Sequence, residues 1–233
     1  MYQYNKNNLR IFSAALIFLI AASASVHAQD RNFEDPSEDS RDRSYRRLTT
    51  PIGDVAFEVV GQVTNPSPTT SKQYGYLSSI NGLRPDQIFV TADPTMQNES
   101  TARFTFFTDA TTDRVIANGR LRIVNRVGTT TIYLDDTPDA TFADRDSFRE
   151  GVPVLTFNYR QQVILDTGEA GTFTVVNVLT TVSTTPFELG GERMRLGRVG
   201  DQFRQYYSGA PPTGTPALNG VFAGYAVAIE RRR

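Results

Sequence analysis

The feature that most constrains the fold is a long alternation of apolar and polar residues between 154 and 183. In each half of this segment, apolar or aromatic side chains recur at every second position, which is the period of a β-strand. The stretch 166–171 contains two glycines and is typical of a turn. We therefore predict an antiparallel hairpin with one buried face, formed by Leu155, Phe157, Tyr159, Val163 and Leu165 on the first arm and by Phe173, Val175 and Leu179 on the second.

Strand signals dominate the rest of the chain as well, because threonine, valine, isoleucine and aromatic residues fit a pleated surface. No rhythm of strands alternating with amphipathic helices is present, which argues against an α/β fold. Two short helices are indicated, at Asp201–Tyr207 and, more weakly, at Asp144–Arg149. The predicted strands are 55–64, 74–81, 87–91, 102–108, 114–125, 128–134, 154–166, 171–183 and 220–230.

Eight or nine strands of this kind predict an all-β domain. Strands of about a dozen residues exceed the usual five or six, and antiparallel closure removes the exposed edges that such strands would present. We predict an up-and-down antiparallel barrel with at most one or two short helices. A two-sheet β-sandwich is the alternative.

The first 28 residues have the pattern of a secretory signal peptide. Lys6 and Arg10 precede an apolar stretch, Ile11–Ala22, and the sequence Val26-His27-Ala28 matches a cleavage site. This stretch is shorter than the roughly 20 residues that span a bilayer. We expect a secreted or periplasmic protein that begins at Gln29 and has no transmembrane segment.

The mature chain divides into two parts by composition. Residues 29–50 are rich in mixed charge and poor in apolar side chains, which predicts a flexible leader. Residues 51–233 form the predicted single barrel domain. Within it, Asn65–Ser71 and Gly209–Pro216 are rich in proline, threonine and glycine and are predicted to be loops.

The available residue types narrow the function classes. The chain has no cysteine, and its single histidine, His27, lies in the predicted signal peptide. Histidine-dependent nucleophiles, thiolates and typical zinc sites are therefore excluded from the mature protein. Loss of Lys6 and Arg10 leaves 22 basic against 25 acidic residues, a net charge of −3, which offers no basic surface to nucleic acid. We expect no cofactor, no metal and no nucleic-acid partner, and a non-enzymatic role is favoured over catalysis.

Two polar residues interrupt the buried face of the hairpin and define a candidate site. If Asp166 pairs with Thr172, then Gln161 lies directly opposite Asn177. Two neighbouring amides have more donors and acceptors than one mutual contact uses, so the remainder would face a ligand or water. We predict that Gln161, Asn177 and Tyr159 bind a ligand. An amide pair satisfied by buried water or by a neighbouring strand is the alternative.

Two further features have a less specific meaning. The acidic stretch 135–146 supplies oxygen ligands suited to a hard cation, but its spacing lacks the pattern of a helix-loop-helix calcium site, and a solvated loop is favoured. Tyr206 and Tyr207, beside Phe203, could form an aromatic platform for a sugar or lipid, although core packing of a short helix is the commoner explanation.

Three functions fit these observations. The first is a secreted barrel that binds a small apolar or amphipathic ligand without covalent chemistry. The second is a cofactor-free isomerase or cyclase acting through polar groups such as Gln161, Asn177 and Tyr159. The third is an extracellular interaction module with a filled interior. A cavity of a few hundred Å³, the order expected of ligand sites, would favour the first two.

Overall fold

The computed structural model describes residues 45–168, 172–211 and 219–231 and consists almost entirely of β-structure. The predicted signal peptide lies outside the described residues. One α-helix, α1, is a single turn at Pro85–Ile88, and 3₁₀ turns occur at Pro94–Met96 and Arg145–Arg149. The strands are β1 (Arg46–Leu48), β2 (Val55–Ser67), β3 (Thr70–Ile80), β4 (Phe104–Asn118), β5 (Leu121–Leu134), β6 (Val152–Asp166), β7 (Phe173–Thr184), β8 (Phe187–Leu189), β9 (Glu192–Leu196), β10 (Asp201–Ala210) and β11 (Asn219–Arg231).

Eight of these strands close into an antiparallel barrel, which confirms the predicted fold class. The order around the barrel is β2-β3-β4-β5-β6-β7-β10-β11, and β11 pairs back onto β2. Strands that follow one another in the chain therefore lie side by side, as in an up-and-down barrel. The one insertion is between β7 and β10, where β8 and β9 leave the barrel. One end of the barrel carries the turns β2–β3 and β4–β5, together with the last residues of β6 and β10 and the first residues of β7 and β11. We call this the hairpin end. We call the opposite end the cap end.

The predicted hairpin forms as expected, because its alternation puts one face inside the barrel. On β6, Phe157, Tyr159 and Gln161 are buried while Asn158 and Arg160 between them are exposed. The backbone N–H of Asp166 donates to the carbonyl of Thr172 at 3.2 Å. Leu165, Val163 and Gln161 consequently lie opposite Phe173, Val175 and Asn177.

Aromatic rings fill the middle of the barrel. The rings of Phe57, Phe157 and Phe203 meet with centroids 5.7 to 6.2 Å apart. Nearer the hairpin end, Tyr207 stacks on Phe222 at 4.4 Å. Such ring pairs add about 0.5 to 1.5 kcal/mol beyond the area that they bury. The filled middle separates the interior of the cap end from that of the hairpin end.

Parts of β3 and β4 are buried on both faces, at residues 73–77 and 104–108. Outside the barrel, Tyr74 and Phe107 pack with Ala140 and Phe148 from the connection between β5 and β6. The hydroxyl of Thr105 donates to the carbonyl of Phe148 at 2.9 Å, which anchors this connection to the outer wall.

A small sheet of order β1-β9-β8 covers the cap end. β1 pairs in parallel with β9, and Phe187, Leu189, Met194 and Leu196 belong to the same core cluster as the barrel interior. Leu48 packs against that cluster. The folded structure thus includes Arg46–Leu48, which falls inside the predicted leader of residues 29–50. Residues 29–44 of that leader lie outside the described part of the chain.

Two predicted strand boundaries near β4 and β5 are wrong. The predicted strand 114–125 spans the turn of a hairpin, in which Asn118 ends β4 and Gly119 has a φ of 58°. A residue at this φ is in the left-handed region that glycine occupies without steric cost. The chain reverses at Gly119, and the predicted strands 114–125 and 128–134 share the single strand β5.

Three other local predictions need correction or refinement. The predicted helix Asp201–Tyr207 is wrong, because this segment belongs to β10, where inward residues alternate with outward ones. The predicted strand 87–91 is also wrong. Pro85 starts α1 there, and only Phe89 forms a bridge, to Ala102. The weaker helix at Asp144–Arg149 appears as a 3₁₀ turn.

Candidate ligand-binding site in the barrel interior

The strand register brings polar side chains to one level of the inner wall. Arg126 on β5 lies opposite Gln161 on β6. Gln161 in turn lies opposite Asn177 on β7, which confirms the predicted register, and Asn177 lies opposite Gln205 on β10. Gln73 on β3 contacts Gln161 from across the lumen. We call these five residues the polar layer.

Gln161 and Asn177 are neighbours in this layer but bond to different partners. Asn177 Nδ2 donates to Gln205 Oε1 at 2.7 Å. The Asn177 side chain is completely buried, and its Oδ1 has no hydrogen-bond partner among the described residues. A buried acceptor without a donor costs about 1 to 3 kcal/mol. A water molecule that donates to this oxygen would remove that cost.

Gln161 belongs instead to a network with Gln73 and two tyrosine hydroxyls. Gln73 Nε2 donates to Tyr159 Oη at 2.7 Å, and Gln161 Nε2 donates to Tyr207 Oη at 2.5 Å. Tyr207 Oη donates to Gln73 Oε1 at 2.5 Å. The two amides also contact each other at 3.3 and 3.4 Å. The structure therefore brings Gln161 and Tyr159 into one network and leaves Asn177 outside it.

Burial keeps both tyrosines protonated. Desolvation raises the pKa of Tyr207 to about 12. Desolvation, assisted by the nearby Tyr207, raises the pKa of Tyr159 well above its ordinary value. Both hydroxyls are thus neutral at physiological pH, and neither supplies a negative charge to the interior.

Arg126 is the charged member of the polar layer. Its Nη1 donates to Gln161 Oε1 at 3.0 Å, and its Nη2 donates to Asn65 Oδ1 at 2.9 Å. Its Nε is buried and has no partner among the described residues. Desolvation lowers the pKa of the guanidinium. Over the same part of the chain, no carboxylate forms an ion pair with Arg126.

A cavity of about 80 Å³ lies between the polar layer and the hairpin end. Gln73, Arg126, Gln161 and Tyr207 contribute its polar floor. Arg126 and Gln161 face each other across β5 and β6. The next pair of inward-facing residues towards the hairpin end is Val124 and Val163. The apolar wall above the floor is formed by Val63, Val124, Val163, Leu165, Phe173 and Val175. The cavity is therefore amphipathic along the barrel axis.

The ring of Phe173 lies at the mouth of this cavity, where two glycines make room for it. A Cβ atom on Gly220 would lie 2.8 Å from Phe173 Cε1 and 3.1 Å from Val63 Cγ1. A Cβ atom on Gly209 would clash both with the Phe173 ring and with the carbonyl oxygen of Val221. Glycine at both positions thus allows an aromatic ring to lie across the inner wall.

A second cavity, of about 220 Å³, lies at the cap end, between the barrel and the small sheet. Its lining is mainly apolar and includes Leu48, Ile52, Leu77, Ile132, Leu155 and Leu196. None of the three predicted ligand-binding residues lines it. The polar layer and this cavity are separated by the aromatic rings in the middle of the barrel.

The predicted platform of Tyr206 and Tyr207 is not formed. The two rings lie on opposite faces of β10, because adjacent residues in a strand point to opposite sides. Tyr207 is buried against Phe222, whereas Tyr206 lies on the outer face, where its ring is 6.0 Å from that of Tyr225. Only Tyr207 belongs to the candidate site.

Three carboxylates of the acidic stretch have local partners. Asp135 Oδ1 accepts from the backbone N–H of Thr137, and Asp144 Oδ1 accepts from that of Asp146. Asp146 forms an ion pair with Arg149 at 2.8 Å. These contacts organise the connection that covers the outer wall beside Phe148.

Sequence reasoning missed Arg126, Gln73, Gln205 and Tyr207 as members of the site. Arg126 fell in the gap between two predicted strands, and Tyr207 was assigned to a helix. A signal was available for Arg126: it is the single charged residue among the inward positions Val124, Arg126, Gly128 and Thr130. That signal depends on knowing that β5 is continuous.

No protein-family model, curated protein or solved structure matches this chain. Within the described ranges, no helix has the length and apolar character needed to cross a membrane.

Proposed function

We propose that this protein binds a small amphipathic molecule inside the barrel, in the cavity at the hairpin end, and that it does so without covalent chemistry. The observation that carries the proposal is the division of that cavity into an apolar wall and a polar floor. The wall offers valine, leucine and phenylalanine side chains, and the floor offers amides, a hydroxyl and a guanidinium. Ligand sites commonly combine such a wall with a few placed polar groups.

The volume sets a limit on how much of a ligand is enclosed. A cavity of about 80 Å³ has the volume of two or three water molecules, at roughly 30 Å³ each in the liquid. It accommodates a head group of about three non-hydrogen atoms. The remainder of a longer molecule would extend past Leu165 and Phe173, the last inward pair before the β6–β7 turn.

Binding is favoured over isomerase or cyclase chemistry by the properties of the groups at the floor. Efficient general acids and bases have a pKa near the working pH, whereas the pKa of Tyr207 is about 12. The amides of Gln73 and Gln161 do not transfer protons at neutral pH. These groups are suited to fixing the orientation of a bound molecule.

Filling the cavity tests the proposal. Val163 lines the cavity, whereas its neighbour Ile164 is 36% exposed on the outer face of the same strand. We expect Val163→Phe to weaken binding of hexan-1-ol, measured by NMR titration, at least tenfold. The matched control Ile164→Phe should leave the affinity within twofold of wild type.

The proposal is overturned if Val163→Phe binds hexan-1-ol as tightly as wild type, or if wild type binds neither hexan-1-ol nor hexanoate. Native mass spectrometry of protein purified from its own host gives an independent measurement. A retained small molecule that is lost from the Val163→Phe variant would support the proposal.

A further inference from the structure

We infer that the ligand's inserted end is a carboxylate and that Arg126 is the residue that binds it. This inference rests on the proposed ligand-binding function and adds the chemical class of the molecule and its orientation. The carboxylate would lie at the polar layer, and the apolar tail would point to the hairpin end.

The Arg126 side chain has N–H donors that its protein partners do not use. A guanidinium has five N–H donors, and two of them are used by Gln161 and Asn65. The Nε donor is buried and without a partner among the described residues. Both partners that the structure gives Arg126 are neutral amides.

The guanidinium of Arg126 has no counter-ion among the described residues. Buried charges are normally paired or hydrogen-bonded, because removing a charge from water is costly. Asp166, which follows Leu165 of the cavity wall, pairs with Arg120 at 2.8 Å. In the part of the chain that the structure describes, Arg126 has no ion-pair partner. A ligand anion would supply one.

The N–H groups of an arginine side chain match the geometry of a carboxylate. Arginine presents parallel N–H groups that fit the two oxygens of a carboxylate, and such charge-assisted bonds are about twice as strong as neutral ones. Directly above this level, the wall is formed by Val124, Val163 and Val175, which suit the methylene groups of a short chain. A monocarboxylate with an apolar tail satisfies both regions at once.

The test compares two probes that differ only at the head group. Hexanoate and hexan-1-ol are titrated at pH 7 into wild type, Arg126→Gln and Arg160→Gln. Arg160 is a matched control because it lies on β6 with its side chain exposed on the outer face. We expect wild type and Arg160→Gln to bind hexanoate at least tenfold more tightly than hexan-1-ol, and Arg126→Gln to lose that preference.

The outcomes separate this inference from the proposed function. Equal affinity of wild type for the two probes, or a preference for hexanoate that survives in Arg126→Gln, overturns the carboxylate assignment and leaves ligand binding in place. Failure of wild type to bind either probe overturns both proposals.

A measurement on wild type keeps the test valid if Arg126→Gln does not fold. The NMR resonance of the Arg126 Nε–H reports directly on the donor that lacks a partner. Hexanoate should shift this resonance, and hexan-1-ol at equal occupancy should not. An unchanged resonance at saturating hexanoate would overturn the inference.

Discussion

Replacing Gln161 with leucine tests how the polar layer contributes to stability. Gln161 Oε1 accepts from Arg126 Nη1 at 3.0 Å, and Gln161 Nε2 donates to Tyr207 Oη. Leucine removes both bonds. Tyr207 keeps its bond to Gln73, whereas Arg126 keeps only its bond to Asn65.

The lost hydrogen bonds set the expected change in the free energy of unfolding. A hydrogen bond to a charged group contributes about 1.5 to 3 kcal/mol, and one between neutral groups about 1 kcal/mol. Leucine returns roughly 1 kcal/mol through the added burial of apolar surface. We expect the free energy of unfolding to fall by about 2 kcal/mol, which lowers the Tm by roughly 4 to 8 °C in a domain of this size.

Urea denaturation and calorimetry measure this change, with Gln162→Leu as the control. Gln162 is exposed on the outer face of β6, so its replacement should change stability by less than about 0.5 kcal/mol. Adding Arg126→Met to Gln161→Leu removes the stranded charge and should restore at least about 1 kcal/mol. A loss below 0.5 kcal/mol for Gln161→Leu, or no recovery in the double variant, would refute this account of the layer.

Three further predictions concern other parts of the molecule. A chain that starts at Pro51 lacks β1 and the packing of Leu48, and urea denaturation should show a loss of about 2 kcal/mol; an unchanged midpoint would mean that β1 is dispensable. The pKa of Tyr207 rises from 10 in the unfolded chain to about 12 in the fold, so the unfolded state loses its proton first. Stability should therefore fall by about 2 kcal/mol as the pH rises from 10 to 12, and Tyr207→Phe should reduce this slope in pH-dependent denaturation. Gly220→Ala should cost about 1 to 3 kcal/mol and be rescued by Phe173→Leu in thermal denaturation, whereas Gly209→Ala should not be rescued, because its Cβ would also clash with a backbone oxygen.

The sequence was most informative where one strand face is buried and the other is exposed. The hairpin of β6 and β7 has this property over its whole length, so both its register and the opposition of Gln161 and Asn177 could be predicted. The bonding of these amides could not be predicted, because their partners are supplied by β3, β5 and β10. Which residues of those strands lie at the same level depends on closure of the barrel.

Prediction failed where the local pattern is ambiguous. Residues 201–207 contain aromatic and polar residues that fit a helical period as well as a strand, and the barrel context decides for the strand. Between β4 and β5, apolar residues lie on both sides of Asn118, Gly119 and Arg120, and the predicted strand 114–125 ran through this turn. Arg126 therefore fell outside any predicted strand. Because the turn was placed wrongly, Arg126, the charged residue of the site, was not predicted.

The pairing of β11 with β2 has a consequence for the synthesis and aggregation of this protein. The first and last strands of the barrel close it, so no chain that stops before Asn219 can complete the ring of hydrogen bonds. A shortened product would expose the edges of β2 and β10, and unpaired edges recruit other chains. We therefore expect C-terminal truncation to produce intermolecular β-assembly rather than a smaller soluble barrel.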